Sequence, residues 1–322
     1  MEKIMKYFGV AISAIALCLI IAFAVLYAVY RAAFSVPRKK TLEPYDFPKN
    51  EKYKKYREHT KNLIDSVIDI PYEDIYITSR TGLKLYGRYY ETKKGAPLQI
   101  LFHGYRSSAF RDFCGGLQLA LKSGCNALLI DERAHGKSEG KCLSFGILER
   151  FDCLDWIDYS TERFGKDVKI ILVGISMGAA TVLMATELPL PANVVGVIAD
   201  CPYSSPEGII RKVINDRHLP EKIVYPLIRT SGKIFGRFDI ESASPEEALH
   251  SAKVPVLFIH GDDDGFVPYD MSVSNYNACA SEKYFLTVHN AEHGLSYFED
   301  TEAYTREVYN FVKKVNGVSV NN

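Results

Sequence analysis

The hydrophobic pattern of this chain changes character three times. From Tyr7 to Tyr30 there is no charged residue, and at about 1.5 Å per residue a helix over this stretch is about 36 Å long, against a bilayer core of about 30 Å. Lys3, Lys6 and Arg31 bracket it, and Tyr7, Tyr27 and Tyr30 stand near its ends, where aromatic rings favour the interface. An uncleaved transmembrane helix is expected. A signal peptide has an apolar region of about 7–15 residues followed by its cleavage site, whereas Ala22-Phe-Ala24 lies inside the run. The polar stretch Glu51–Asn62 (EKYKKYREHTKN) reads as a charged helical linker, either a solvated face or a contact with anionic headgroups. Beyond it, Ile75–Thr78 and Leu83–Tyr86 flank a turn with glycine, the pattern of a hairpin. Short apolar runs then follow at Leu98–Phe102, Ala127–Ile130, Ile170–Val173, Val194–Ile198 and Val256–Ile259. Each precedes a longer segment able to form a helix, so an α/β fold is expected, with a mostly parallel sheet covered on both faces.

Composition changes this picture little. The 322 residues are 47% hydrophobic and 24% charged with no formal net charge, which argues against disorder and gives nucleic-acid binding no support. Seven cysteines, none in a C-x-x-C pair, suggest neither a zinc site nor a redox motif and fit reduced core thiols. Arg31, Arg38, Lys39 and Lys40 outnumber Lys3 and Lys6, a bias that places the C-terminal bulk in the cytoplasm, although large domains can translocate regardless of flanking charge.

In parallel sheets, ligands bind outside the carboxyl ends of the strands. Four loops at such ends carry reactive residues. After Ile170–Val173 comes Gly174-Ile-Ser-Met-Gly178, then a helix-forming run; strand, sharp turn and helix around G-x-S-x-G expose Ser176 as a nucleophile. His103-Gly-Tyr-Arg106 follows Leu98–Phe102, and the glycine lets the next amide turn towards that serine. The backbone amides of Tyr105 and Met177 are thus the candidate oxyanion hole. His260-Gly-Asp-Asp-Asp-Gly-Phe-Val-Pro268 supplies three acids, and His289-Asn-Ala-Glu-His293-Gly294 two bases.

Together, H-G-Y, D-E-R-A-H-G-K-S, G-I-S-M-G, H-G-D-D-D-G-F-V-P and E-H-G resemble the bacterial α/β-hydrolases grouped with serine esterases and serine aminopeptidase-like hydrolases, over about residues 71–315. Relatives read H-G-x-x-D-x-x-V-P in the late loop. The resemblance therefore implies Asp264 as the triad acid, His293 as the base and Ser176 as the nucleophile, with Asp262, Asp263 and His289 as loop residues and His103 and His135 as scaffolding. The chain departs from relatives at Ala134, where glycine is usual. Serine at the elbow disfavours dehalogenase-like and epoxide-hydrolase-like chemistry, and no metal or organic cofactor is implied.

Apolar residues at Ile209, Ile210, Val213, Ile214, Ile223, Val224, Leu227 and Ile228 recur at helical spacing; the resemblance makes an insertion at about 202–250 the cap over the active site, and completion of the core is the other reading. The expected organisation is an anchor over 1–31, a linker over 32–70 and a hydrolase domain over 71–322. The expected reaction is hydrolysis of small or medium acyl esters or thioesters. A peptidase or amidase would use the same three residues, and a non-catalytic binding protein is the remaining alternative.

Overall fold

Apolar runs without polar alternation make strands that are buried on both faces. In the computed structural model, which describes residues 2–36, 45 and 51–317, such runs form the middle of one sheet. Its strands are β1 (Glu73–Thr78), β2 (Lys84–Tyr90), β3 (Leu98–Phe102), β4 (Asn126–Asp131), β5 (Ile170–Ile175), β6 (Val194–Asp200), β7 (Val256–Gly261) and β8 (Lys283–Val288). Their order is β1-β2-β4-β3-β5-β6-β7-β8. Only β2 runs against its neighbours, forming the expected hairpin with β1 and an antiparallel pair with β4. Starting from central β3, the chain winds to β4 on one side and resumes at β5 on the other. The loops after β3 and β5 thus open a crevice between two adjacent strand ends, where binding sites form in such sheets.

The helices are α1 (Glu2–Phe34), α2 (Glu51–Lys54), α3 (Arg57–Val67), α4 (Ala109–Asp112), α5 (Cys114–Lys122), α6 (Glu149–Phe164), α7 (Met177–Ala185), α8 (Pro206–Asp216), α9 (Glu221–Ser231), α10 (Pro245–Leu249), α11 (Tyr269–Ala278), α12 (Ser296–Glu299) and α13 (Thr301–Val315). One sheet face packs on Trp156 and Ile157 of α6 and Val182 and Leu183 of α7. The other packs on Leu117 of α5 and on Tyr304, Val308, Phe311 and Val312 of α13, the i, i+4, i+7, i+8 stripe of an amphipathic helix.

Two N-terminal expectations change in the structure. The charged segment is no free linker: from Glu51 onward, α2 and α3 lie on the body, with Leu63, Ile64 and Val67 buried in the second core face. Arg38, Lys39 and Lys40 lie outside the described residues. The second change concerns α1. Its outer face is exposed and apolar, as a membrane-crossing helix would be, but its last turns present Leu26, Val29, Tyr30, Ala33 and Phe34 on one side, and Tyr30 and Phe34 are buried. There they join a third cluster with Met177 and Met184 of α7, Ile209, Ile210 and Ile214 of α8, and Tyr225 of α9. The insertion between β6 and β7 therefore packs sideways on α1 and α7, because α1 supplies the apolar partner for its inward face.

Candidate active site

A strand that enters a helix without a loop needs a backbone turn that most residues resist. Ser176 takes it, with φ 54° and ψ −113°, as the residue before α7. The flanking glycines are required by contact: a Cβ on Gly174 would lie 2.3 Å from the Gly178 carbonyl carbon, and one on Gly178 would lie 1.9 Å from the Phe102 carbonyl oxygen. Strand and helix can approach this closely only without side chains there.

From Ser176 a hydrogen-bond chain runs inward. Ser176 Oγ lies 2.9 Å from His293 Nε2, and His293 Nδ1 lies 2.7 Å from Asp264 Oδ2. The other oxygen of Asp264 accepts from the amides of Phe266 and Val267 at 2.9 and 2.8 Å. His260 Nε2 approaches Asp264 Oδ2 at 3.2 Å and is itself held by the Ser272 hydroxyl through Nδ1. Burial alone would raise the Asp264 carboxyl, but the hydrogen bonds from His260 and His293 outweigh it and hold the group below the usual carboxylate range. Asp262 turns outward instead, 2.7 Å from His289 Nδ1 and bonded to the Asn290 amide, and Asp263 is exposed.

The loop after β3 is fixed from three directions. His103 accepts the Glu132 amide at Nε2, so its proton sits on Nδ1 and is donated to the Gly104 carbonyl at 2.8 Å. In a trans peptide the N–H points opposite to the C=O, so this bond aims the Tyr105 amide away from His103. Asp112 Oδ2 accepts the Gly104 amide at 2.9 Å, and a Cβ at Gly104 would lie 3.6 Å from the Ser176 Cβ. Tyr105 and Gly104 share the cavity wall with Ser176. Met177 opens α7, where the first amides have no partner within the helix. His103 and His135 are both buried, and burial pushes both imidazoles down, His135 to about 3. His135 gives its Nδ1 to the Arg133 carbonyl at 2.9 Å, a scaffolding bond.

A cavity of about 380 Å³ opens at Ser176, within the size range of small-ligand sites. Among the described residues, its wall takes Tyr53, Tyr56, Arg57 and Thr60 from the N-terminal segment, Arg111 from α4, Phe266 and Phe298. None of these was singled out in the sequence, and no residue of 202–250 lines it. Its covering is supplied by α2 and α3 where the 202–250 insertion was expected. The Tyr53 hydroxyl donates to the His293 carbonyl at 2.6 Å. Cys201 brings its sulfur within 4.8 Å of ligand atoms on Asp264 and His293. Burial pushes that thiol well up, and the two partners already bond each other, so the trio is poorly suited to hold a metal ion.

A model of the alpha/beta hydrolase family matches residues 99–307. The chain belongs to the alpha/beta hydrolase family. This hydrolase is 28% identical to the uncharacterized protein YqkD of Bacillus subtilis over 62% of its own length and 66%, just under two thirds, of that protein. It is 25% identical to protein bem46 of Schizosaccharomyces pombe over 87% of this chain and 84% of that one. Among solved structures, the Pyrococcus furiosus esterase Pf2001 aligns with a TM-score of 0.60 at 24% identity, covering 79% of this hydrolase and 94% of the esterase. Est1E from Butyrivibrio proteoclasticus, solved with ferulic acid bound, aligns at 0.58 and 20% identity over 76% and 99%. These likenesses carry the fold.

Proposed function

We propose that the protein is a membrane-anchored serine esterase that cleaves small or medium acyl esters or thioesters. The unbroken chain from Ser176 Oγ through His293 to buried Asp264 carries this reading. In the proposed reaction Ser176 Oγ attacks the acyl carbon and its proton passes to His293 Nε2. The oxyanion receives the Tyr105 and Met177 amides, and Asp264 stabilises the imidazolium. Collapse expels the alcohol, which takes the proton from His293 and leaves the acyl group on Ser176. Water, deprotonated by the same imidazole, then releases the acid and restores the serine. A cavity of about 380 Å³ favours compact substrates; long-chain acyl groups and peptide amides are the rival substrates.

Retention of α1 as an anchor is supported by its exposed apolar flank and by the burial of Tyr30 and Phe34 in the folded body. The flanking positive charges favour a cytoplasmic hydrolase domain.

A fluorophosphonate probe tests the core of this reading. It should label the parent chain and leave Ser176→Ala unlabelled, and kcat/KM should favour acetyl and butyryl over palmitoyl esters. Labelling that persists in Ser176→Ala, or a strong preference for peptide amides, overturns it.

A further inference from the structure

The insertion between β6 and β7 presents apolar side chains outward as well as inward. Leu219, Ile223 and Ile234 are 44, 62 and 51% exposed. Ile234 and Phe235 sit in a single π-helical turn, Gly232–Gly236, that continues α9. This turn lies along α1: the Phe235 ring is 5.1 Å from Phe23, 5.3 Å from Tyr27 and 5.5 Å from Tyr30, residues on one face at i, i+4 and i+7. The insertion therefore reaches some three turns back from the end of α1, alongside the apolar stretch.

That height fixes its surroundings. A span needs about 20 apolar residues, and Lys3 and Lys6 keep it from starting before Tyr7. Even the shallowest placement then runs to about Leu26 and puts Phe23 inside the hydrocarbon. A placement centred on Tyr7–Tyr30 puts Tyr27 inside as well. Phe235, in contact with both, lies at or below the boundary between headgroups and acyl chains, and Ile234 beside it is half-exposed among the described residues.

We infer that the π-helical turn after α9 forms a membrane-embedded shoulder, with Ile234 seated in the acyl region of a phospholipid bilayer beside α1. The inference rests on the anchor reading of α1 and adds a second, interfacial contact to it. Because Tyr30 and Phe34 already join α1 to the body, such a contact would set the tilt of the whole domain against the bilayer.

Site-directed spin labels on the full chain in phosphatidylcholine vesicles test it, with exposed Cys18 first replaced by serine. A label at Ile234→Cys is compared with Leu19→Cys on the outer face of α1 and with Lys94→Cys on an exposed loop at the opposite end of the sheet. The oxygen-to-nickel-chelate collision ratio at position 234 should approach that at 19 and exceed that at 94 several-fold. If position 19 is lipid-exposed while 234 matches 94, the shoulder is refuted and the anchor stands. If position 19 also collides freely with the nickel chelate, the anchor reading fails and takes the shoulder with it. Protection from both reagents that grows with protein density in the vesicles would mean that a second copy covers this face, and would overturn the proposal too.

Discussion

In the proposed mechanism His103 acts on the oxyanion site through one peptide bond. Its Nδ1–H holds the Gly104 carbonyl, so His103→Phe should free that peptide to rotate, lowering kcat by about 10–100-fold with little change in KM, within the cost of losing one oxyanion donor. Steady-state kinetics check this, and an equal fall in folding stability without the kcat effect would make the residue purely structural. Ser176→Ala and His293→Ala should each lower kcat by several orders of magnitude, and the double variant should be hardly worse, since groups working as a unit are non-additive. Ala134 has a φ of 65°, a region that costs a residue with a Cβ about 1–2 kcal/mol. Ala134→Gly should therefore raise the unfolding free energy by about 0.5–1 kcal/mol after the extra chain entropy of glycine is subtracted, read from urea midpoints. At this scale the elbow serine was legible, because glycine spacing and strand-to-helix context are local. The choice among Asp262, Asp263 and Asp264 was not legible from the residues alone and came from the resemblance. The side chains separate only in three dimensions, where Asp264 turns into the body and Asp262 pairs with His289.

Local patterning also set the limits among elements. The runs that became β3 to β7 and the hairpin of β1 and β2 were readable because their periodicity does not depend on a distant partner. EKYKKYREHTKN reads as solvated because its charges dominate, yet Tyr53 and Tyr56 face the cavity. Nothing local distinguishes an aromatic side chain bound for a pocket wall from one left in water. The insertion likewise had the right helical spacing, but its partner, the end of α1, is nearly two hundred residues away in the chain. The hydroxyl of Tyr53 joins α2 to the loop of the proposed base. Tyr53→Phe should lower stability by about 1 kcal/mol, the usual net value of a hydrogen bond, and lower kcat a few-fold through a looser His293 loop. Unchanged kcat at lowered stability would make the contact a mere tether.

The whole molecule is held together partly by its own N-terminal helix. Phe34 is fully buried, with ring centroids 5.1 Å from Phe238 and 6.0 Å from Phe145. Phe34→Ala should cost about 3–5 kcal/mol, and a fragment starting after Val36 should unfold at lower urea than the detergent-solubilised full chain. A second global effect comes from Asp200, buried at the end of β6 with its carboxyl pushed up to about 6 by burial. The unfolded carboxyl titrates near about 3.9, so between these values the folded state keeps a proton that the unfolded state has lost. Stability from this group therefore falls as pH rises through that window, by roughly 3 kcal/mol. Asp200→Asn should gain on the parent by about that amount between about pH 4 and about pH 7 in paired urea titrations. The last carbonyls of α1 are gripped by the loop that carries Tyr105: the Tyr105 hydroxyl bonds to Ala33, and the Arg106 guanidinium to Ala32 and Ser35. In the anchored reading this makes α1 a lever with one arm in the lipid and its fulcrum at the loop of the proposed oxyanion amide. A bilayer thinner or thicker than the helix would tilt the lever, so turnover should vary with the chain length of the surrounding lipid, and Arg106→Ala should flatten that dependence.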